Sequence, residues 1–261
     1  MDDVDDAPPR SASTAGALSL PVRTRRPDGT GDGDAAVTGT RQLVADETAV
    51  LLCDVWDDHW SRGAAARVEV MAPRINDIVE HLRRRGVLVV HAPSDTLDFY
   101  REHPARRRVQ ETPRVEPPEA PPLPEPPLPI DDSDGGSDTG EASWFTAWTR
   151  QHAAIRIDDG DVISDDGAEI YSVLRAAGRR TVLVMGVHTN MCVLGRSFGL
   201  RNLVRWGLDA MLVRDLTDAM YNPKSPPHVS HAEGTELVVR HVEKYWAPTV
   251  LSEEIEFGAA E

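Results

Sequence analysis

Cys53 and Cys192 are the only cysteines in the 261-residue chain, and they stand in very different surroundings. An apolar, β-rich run from Thr181 to Val187 meets a polar turn, His188-Thr189-Asn190, after which a helical pattern begins. Cys192 therefore falls in the first turn of a helix, beyond the carboxyl end of a buried strand. Free N–H groups and the helix dipole stabilise negative charge there, so the position predicts a thiol biased towards thiolate and quick to alkylate. Parallel sheets also open their ligand crevices at the carboxyl ends of strands. Cys53 precedes Asp54 inside an apolar strand, where burial and a neighbouring carboxylate both disfavour ionisation. The plain alternative for Cys192 is a small apolar side chain that only packs.

The elements that must position this thiol follow from periodicity. Residues 49–56, AVLLCDVW, are a continuous apolar run, the mark of a strand buried on both faces. Val68, Met71, Ile75, Ile78, Val79 and Leu82 recur at helical spacing, and Arg83-Arg84-Arg85-Gly86 suits a helix end. Val87 to His91 is the next strand, closing a βαβ unit. Ala153 to Ile157 reads as a short third strand. A helix over 166–177 starts at Asp165 or Asp166 and stops at Gly178. Asp209 to Val213 is another strand, and Ser230-x-x-Glu233 is a capping box for the last helix. This alternation predicts an α/β fold, a doubly wound and mostly parallel sheet with helices on both faces.

The flanks read differently. Residues 1–40 are rich in Asp, Gly, Ala, Ser and Thr and are expected to be mostly disordered, although Leu18, Leu20 and Val22 alternate as an edge strand would. The domain is expected over 41–250, with a Pro-rich and acidic insert at about 111–142 and a tail at 251–261. The insert combines a polyproline tract, 113–129, with an acidic Gly/Ser connector, and its lack of apolar periodicity predicts that 113–140 is dispensable for folding. Docking of a partner is the functional alternative for that tract.

The stretch 186–193, GVHTNMCV, resembles the isochorismatase-like cysteine hydrolases position by position, and the resemblance extends over roughly 48–246 without the insert. It implies a six-stranded, three-layer doubly wound sheet and a catalytic trio of Asp, Lys and Cys. Asp54 matches the strand-end Asp, placed to take the thiol proton and return it to a leaving group, and Cys192 matches the nucleophile. The two are expected within hydrogen-bond or one-water reach at the ends of neighbouring strands. The lysine has no counterpart, since none occurs between Gln151 and Ala177. Arg156 stands near its place and is the candidate substitute, supplying charge without exchanging a proton. A helping histidine such as His188, or a different way of working, are the other options. The resemblance further implies a cis bond after Val187, with Val187, His188 and Met191 around the substrate oxygen and the Cys192 N–H completing an oxyanion hole. Trp56 and Trp60 suit stacking on a flat substrate or plain core packing.

Composition bounds the partners. A formal charge of −15 argues against a broad nucleic-acid surface, and no apolar run approaches a membrane span. The two cysteines give no disulfide framework, so a cytoplasmic protein is expected, as a homo-oligomer acting on a small molecule. No phosphate loop or dinucleotide fingerprint implies a cofactor. No metal site is expected either. Asp57-x-His59 resembles the acid-x-His pair of the nicotinamidase branch but follows the wrong strand, and His91, Asp95 and His103 lack the spacing. Two readings result: a cysteine hydrolase of small amides or related C–N substrates, or a non-catalytic binding or scaffold member of the same fold.

Overall fold

The computed structural model describes residues 17–30, 33–119, 123, 125–141 and 144–257. In chain order the elements are β1 (Leu18–Pro27), β2 (Asp34–Leu43), β3 (Thr48–Cys53), α1 (Arg62–Arg84), β4 (Leu88–Ala92), α2 (Pro104–Glu111), β5 (Val162–Ile163) and α3 (Gly167–Ala176). They continue with β6 (Thr181–Val187), α4 (Cys192–Gly195), α5 (Leu200–Arg205), β7 (Asp209–Asp218), α6 (His231–Tyr245), β8 (Thr249–Val250) and α7 (Ser252–Phe257). All strands join one eight-stranded sheet in the order β2-β1-β8-β7-β6-β3-β4-β5. The pairings from β8 through to β5 are parallel, and β1 pairs antiparallel with both β2 and β8.

Strand alternation divides the core into two layers. Val50 and Leu52 of β3 face Val68, Ile75, Ile78 and Leu82 of α1, with Ile255 of α7 in the same cluster. Ala49, Leu51 and Cys53 face the opposite layer, with Ile170 and Leu174 of α3, Val193 and Leu194 of α4, Leu203 of α5 and Val242 of α6. The result is a three-layer doubly wound α/β fold. Local signals set the helix ends, at α3 and α6 where the sequence placed them. Ser61 caps α1, Asp166 caps α3, and Ser230 with Glu233 forms the capping box of α6.

The structure departs from the sequence reading in several places. Six parallel strands match the expected sheet, but the β1–β2 hairpin extends it to eight. Residues 17–30 and 33–40 are thus ordered, while 1–16 and 31–32 lie outside the described residues. Leu18, Leu20 and Val22 are buried against the α1 layer, and Arg23 pairs with Glu243 of α6 at 2.6 Å. Three buried side chains and an ion pair outweigh a polar average composition. The outer edge of the sheet is β2, not β1. Residues 153–157 form no strand; their place beside β4 is taken by β5, where Val162 and Ile163 are buried. Within the stretch expected as a tail, residues 252–257 form α7 with Ile255 buried; 258–261 lie outside the described residues.

The insert is also built into the domain. Ile130 is buried among Ala219, Tyr221 and Val238. Asp132 accepts a hydrogen bond from Asn190 at 2.7 Å, Asp134 one from Asn222 at 2.8 Å, and Asp138 one from Arg67 at 2.8 Å. Gly136 has φ of 73°, and a Cβ there would sit 2.4 Å from the Met220 carbonyl oxygen. Glu125 of the proline tract pairs with Arg201 and Arg205 of α5. Such a strap adheres through polar side chains and one isoleucine, which hydropathy periodicity does not register.

Candidate active site

β3 and β6 are parallel neighbours, with Cys53 opposite Gly186. A Cβ on Gly186, whose φ is 115°, would lie 2.0 Å from the Cys53 carbonyl oxygen, so this close approach requires glycine. One residue beyond Cys53 the chain turns sharply: Asp54 has φ of 51°, a left-handed conformation uncommon outside glycine. That turn carries the Asp54 carboxylate into the ends of the strands, where it is fully buried. Beyond Val187, joined to His188 by a cis peptide bond, a short turn delivers Cys192 to the start of α4.

Asp54 and Cys192 meet there. Asp54 Oδ1 accepts the Ser94 N–H at 2.9 Å and Oδ2 accepts Arg196 Nε–H at 3.0 Å. The Cys192 thiol stands beside the same carboxylate, close enough for each group to bear on the other's ionisation, and the His188 N–H lies near the sulfur. Arg196 Nη2 also stands 3.6 Å from Asp95. Arg196 is the cation that inspection of residues 151–177 missed. It lies four positions after Cys192, one helical turn on, and that spacing is the signal that could have found it.

Arg156 is not part of this cluster. It is 63% exposed and pairs with Asp158 at 2.7 Å and Glu80 at 3.7 Å, held beside the C-terminal half of α1 rather than at the strand ends.

The electrostatics also correct the sequence expectation for the thiol. Burial pushes the Cys192 pKa up to about 12, and the facing Asp54 carboxylate adds to the rise, against Arg196 and the His188 N–H. α4 spans only four residues, so its dipole is small, and a carboxylate stands beside the sulfur. At rest Cys192 is therefore a thiol rather than a preformed thiolate. Burial raises the Asp54 pKa, with Arg196 and the Ser94 N–H opposing it. Cys53, completely enclosed next to Asp54, is pushed well above its ordinary value.

Cys192 opens onto a pocket of about 560 Å³ lined by Trp56, Trp60, Trp144, Trp148, His59, His188, Met191 and Arg196, with Asp95, Ser133, Asp134 and Gly135 among the rest of its wall. The Trp56 and Trp148 rings stack at 4.0 Å, and Trp56 Nε1–H donates to the Ser94 carbonyl at 3.0 Å. Met191 contributes wall only, since its N–H donates to the His188 carbonyl. Val187 lines a separate cavity of about 260 Å³ behind Asp54, not the Cys192 pocket. Burial lowers the His188 pKa to about 3 and the His59 pKa to about 4, so both rings are neutral near pH 7. Asp218 accepts from Arg67 and His231 and acts as a brace below the turn. Among the described residues, no group of three or more His, Cys, Asp or Glu is arranged to hold a metal ion, and no helix is long and apolar enough to cross a membrane.

A buried strand-end carboxylate beside a cysteine on the adjoining strand-to-helix turn, in a doubly wound parallel sheet, defines an isochorismatase-like α/β fold. The chain is similar in structure to a cysteine hydrolase from Pseudomonas syringae pv. phaseolicola 1448A, with a TM-score of 0.52 and 16% identity over 82% of this chain and 92% of that one. An isochorismatase from Pseudomonas putida KT2440 matches at a TM-score of 0.49 and 12% identity, covering 81% of this chain and 91% of its own. An isochorismatase-like hydrolase from Alkaliphilus metalliredigens matches at 0.47 and 15%, covering 80% and 94%. At these identities the likeness is one of fold. No protein-family model matches the sequence, and no curated protein matches it significantly.

Proposed function

We propose that the protein is a cysteine hydrolase of small amides or related C–N substrates, with Cys192 as nucleophile, Asp54 as proton carrier and Arg196 as the cation that keeps Asp54 ionised. The observation that carries this reading is the buried Asp54 carboxyl held by the Arg196 guanidinium at 3.0 Å and set beside Cys192, with Cys192 and Arg196 both lining one pocket. The fold shared with the Pseudomonas syringae cysteine hydrolase supports it. The pocket volume suits a small molecule.

Asp54 accepts the Cys192 proton as Sγ bonds to the substrate carbonyl carbon, so charge passes from the carboxylate to the forming oxyanion without a free thiolate at rest. The C–N bond then breaks, and the proton on Asp54 goes to the departing nitrogen. A thioester on Cys192 remains. Water gives a proton to Asp54 and its oxygen to the acyl carbon; the C–S bond breaks, and Asp54 returns the proton to sulfur. Arg196 exchanges no proton in the cycle. It offsets the burial of the Asp54 carboxylate and so keeps the base available. The Cys192 N–H, first in α4 and without a helical acceptor, and the His188 N–H beside the sulfur are the donors nearest the developing oxyanion.

Intact-mass spectrometry after mixing with a panel of small amides tests the proposal. An acyl adduct on Cys192, amine release, and loss of both in Cys192→Ala and Asp54→Asn are expected. Saturable binding without adduct or release would reject hydrolysis and leave the non-catalytic binding reading.

A further inference from the structure

The walls of the Cys192 pocket carry more information than its floor. Four indoles line it, and two of them, Trp56 and Trp148, are stacked and buried. His59 lies against the same stack, 5.7 Å from Trp148, and meets His188 edge-on at 4.9 Å. Both imidazoles are neutral, so neither offers charge to an anionic ligand. His188 is 2% exposed, and its Nε2 has no hydrogen-bond partner among the described residues. The indole N–H of Trp148 is likewise buried and unpartnered. A buried polar atom left without a partner costs stability unless a ligand or water satisfies it.

The charges at this site are lopsided. Asp54, Asp95 and Asp134 stand at or beside the pocket, and among the described residues Arg196 is its one lining cation, engaged by Asp54 at 3.0 Å and facing Asp95 at 3.6 Å. Asp134 makes no ion pair among the described residues. Its carboxylate accepts from Asn222 at 2.8 Å, from the Gly136 N–H at 2.8 Å and from Ser225 at 3.0 Å. Burial raises its pKa, but those hydrogen bonds outweigh burial and hold it below the ordinary carboxylate value. An unpaired anion therefore sits on the rim of an indole-lined cavity, fixed there by the strap that also buries Ile130.

Resting on the hydrolase reading of Cys192, we propose that the substrate is a cationic amide, one whose acyl part bears an ammonium or quaternary ammonium group received by the indole faces and Asp134. Indole faces attract cations through their quadrupole, and an aromatic lining with a nearby carboxylate suits an ammonium group. An anionic acyl group would meet carboxylates and find Arg196 already engaged. In the tautomer that carries its proton on Nδ1, the unpartnered His188 Nε2 accepts an N–H from the amide nitrogen or from a protonated amine.

Cys192→Ser keeps the pocket while removing the thiol, so binding is measured by calorimetry on that variant and turnover on the wild type. The probes are trimethylammonioacetamide, its neutral isostere 3,3-dimethylbutanamide, and the anionic malonamate. Trimethylammonioacetamide is expected to bind about tenfold more tightly than the neutral isostere, with malonamate weaker than both. Asp134→Asn, on an exposed carboxylate, should reduce that preference, and Trp148→Leu should abolish it. Neutral or anionic amides binding as well as the cation would overturn the proposal, as would a preference unchanged in both variants. Cation-selective binding without turnover in the wild type would uphold this ligand class and reject only the hydrolytic reading, whereas turnover of neutral or anionic amides alone would do the reverse.

Discussion

Replacing Arg196 with methionine strands a carboxylate in the protein interior, and the consequence can be worked from the geometry. Asp54 is fully enclosed, and beyond the thiol its polar contacts are the Ser94 N–H at 2.9 Å and the Arg196 Nε–H at 3.0 Å. Removing one partner of a buried ion pair costs about 3–5 kcal/mol. Arg196 is 32% exposed, so solvent screens part of the attraction, and about 2–3 kcal/mol is expected here. For a chain of this size that corresponds to a melting-temperature loss of about 4–12 °C. The pH dependence gives the cause away. Asp54 already has a folded-state pKa above its usual value through burial, and loss of Arg196 raises it further. A carboxyl group with a raised folded pKa favours the fold below its unfolded pKa and loses that contribution as pH rises through the folded value. The Arg196→Met defect should therefore be large at pH 8 and shrink as pH falls towards the ordinary carboxylate range near about 4. Adding Asp54→Asn should recover much of the loss, because the stranded charge is gone. Urea titrations of the four proteins at pH 5 and pH 8 measure this. Equal defects at both pH values, or additive losses in the double variant, would refute the assigned role of Arg196.

Asp54→Asn should abolish turnover yet make Cys192 label faster with iodoacetamide at pH 8, because the carboxylate that raises the thiol pKa is removed and Arg196 remains; slower or unchanged labelling would contradict the charge balance described. Cys53 should stay unlabelled in the native protein and react only after unfolding, which peptide mapping reports. Ile130→Ala should cost about 2–4 kcal/mol by cavity formation in the cluster beneath the strap, so a Gly/Ser replacement of the strap should lower the melting temperature; no change in either would show that the strap is only a connector. Gly186→Ala should fail to give folded protein, since the added Cβ meets the Cys53 carbonyl oxygen at 2.0 Å in a backbone conformation that alanine resists; a soluble, cooperative variant would count against the β3–β6 geometry.

The sequence by itself determined the scaffold and the place of Cys192 just beyond a strand end. Continuous apolar runs at 49–53 and 181–187 permit little but strands buried on both faces, and the helical spacing of Val68 to Leu82 fixes the covering helix. Capping at Ser230 was legible because it depends on residues three apart. Asp54 and Cys192 could be paired from their places at strand ends, since parallel strands bring those ends together wherever they fall in the chain. What only the tertiary structure decided depends on contacts between distant residues. The cation beside Asp54 is Arg196 rather than Arg156 because Arg196 closes the turn that carries Cys192, while Arg156 is held by Asp158 and Glu80 beside α1. The thiol is held protonated because enclosure and a carboxylate outweigh a four-residue helix, a balance that position in the sequence does not reveal. The acidic strap orders through scattered polar contacts to Asn190, Asn222 and Arg67, and the hairpin through a buried trio and the Arg23–Glu243 pair. Local hydropathy reports neither, because the partners of each group lie tens to hundreds of residues away.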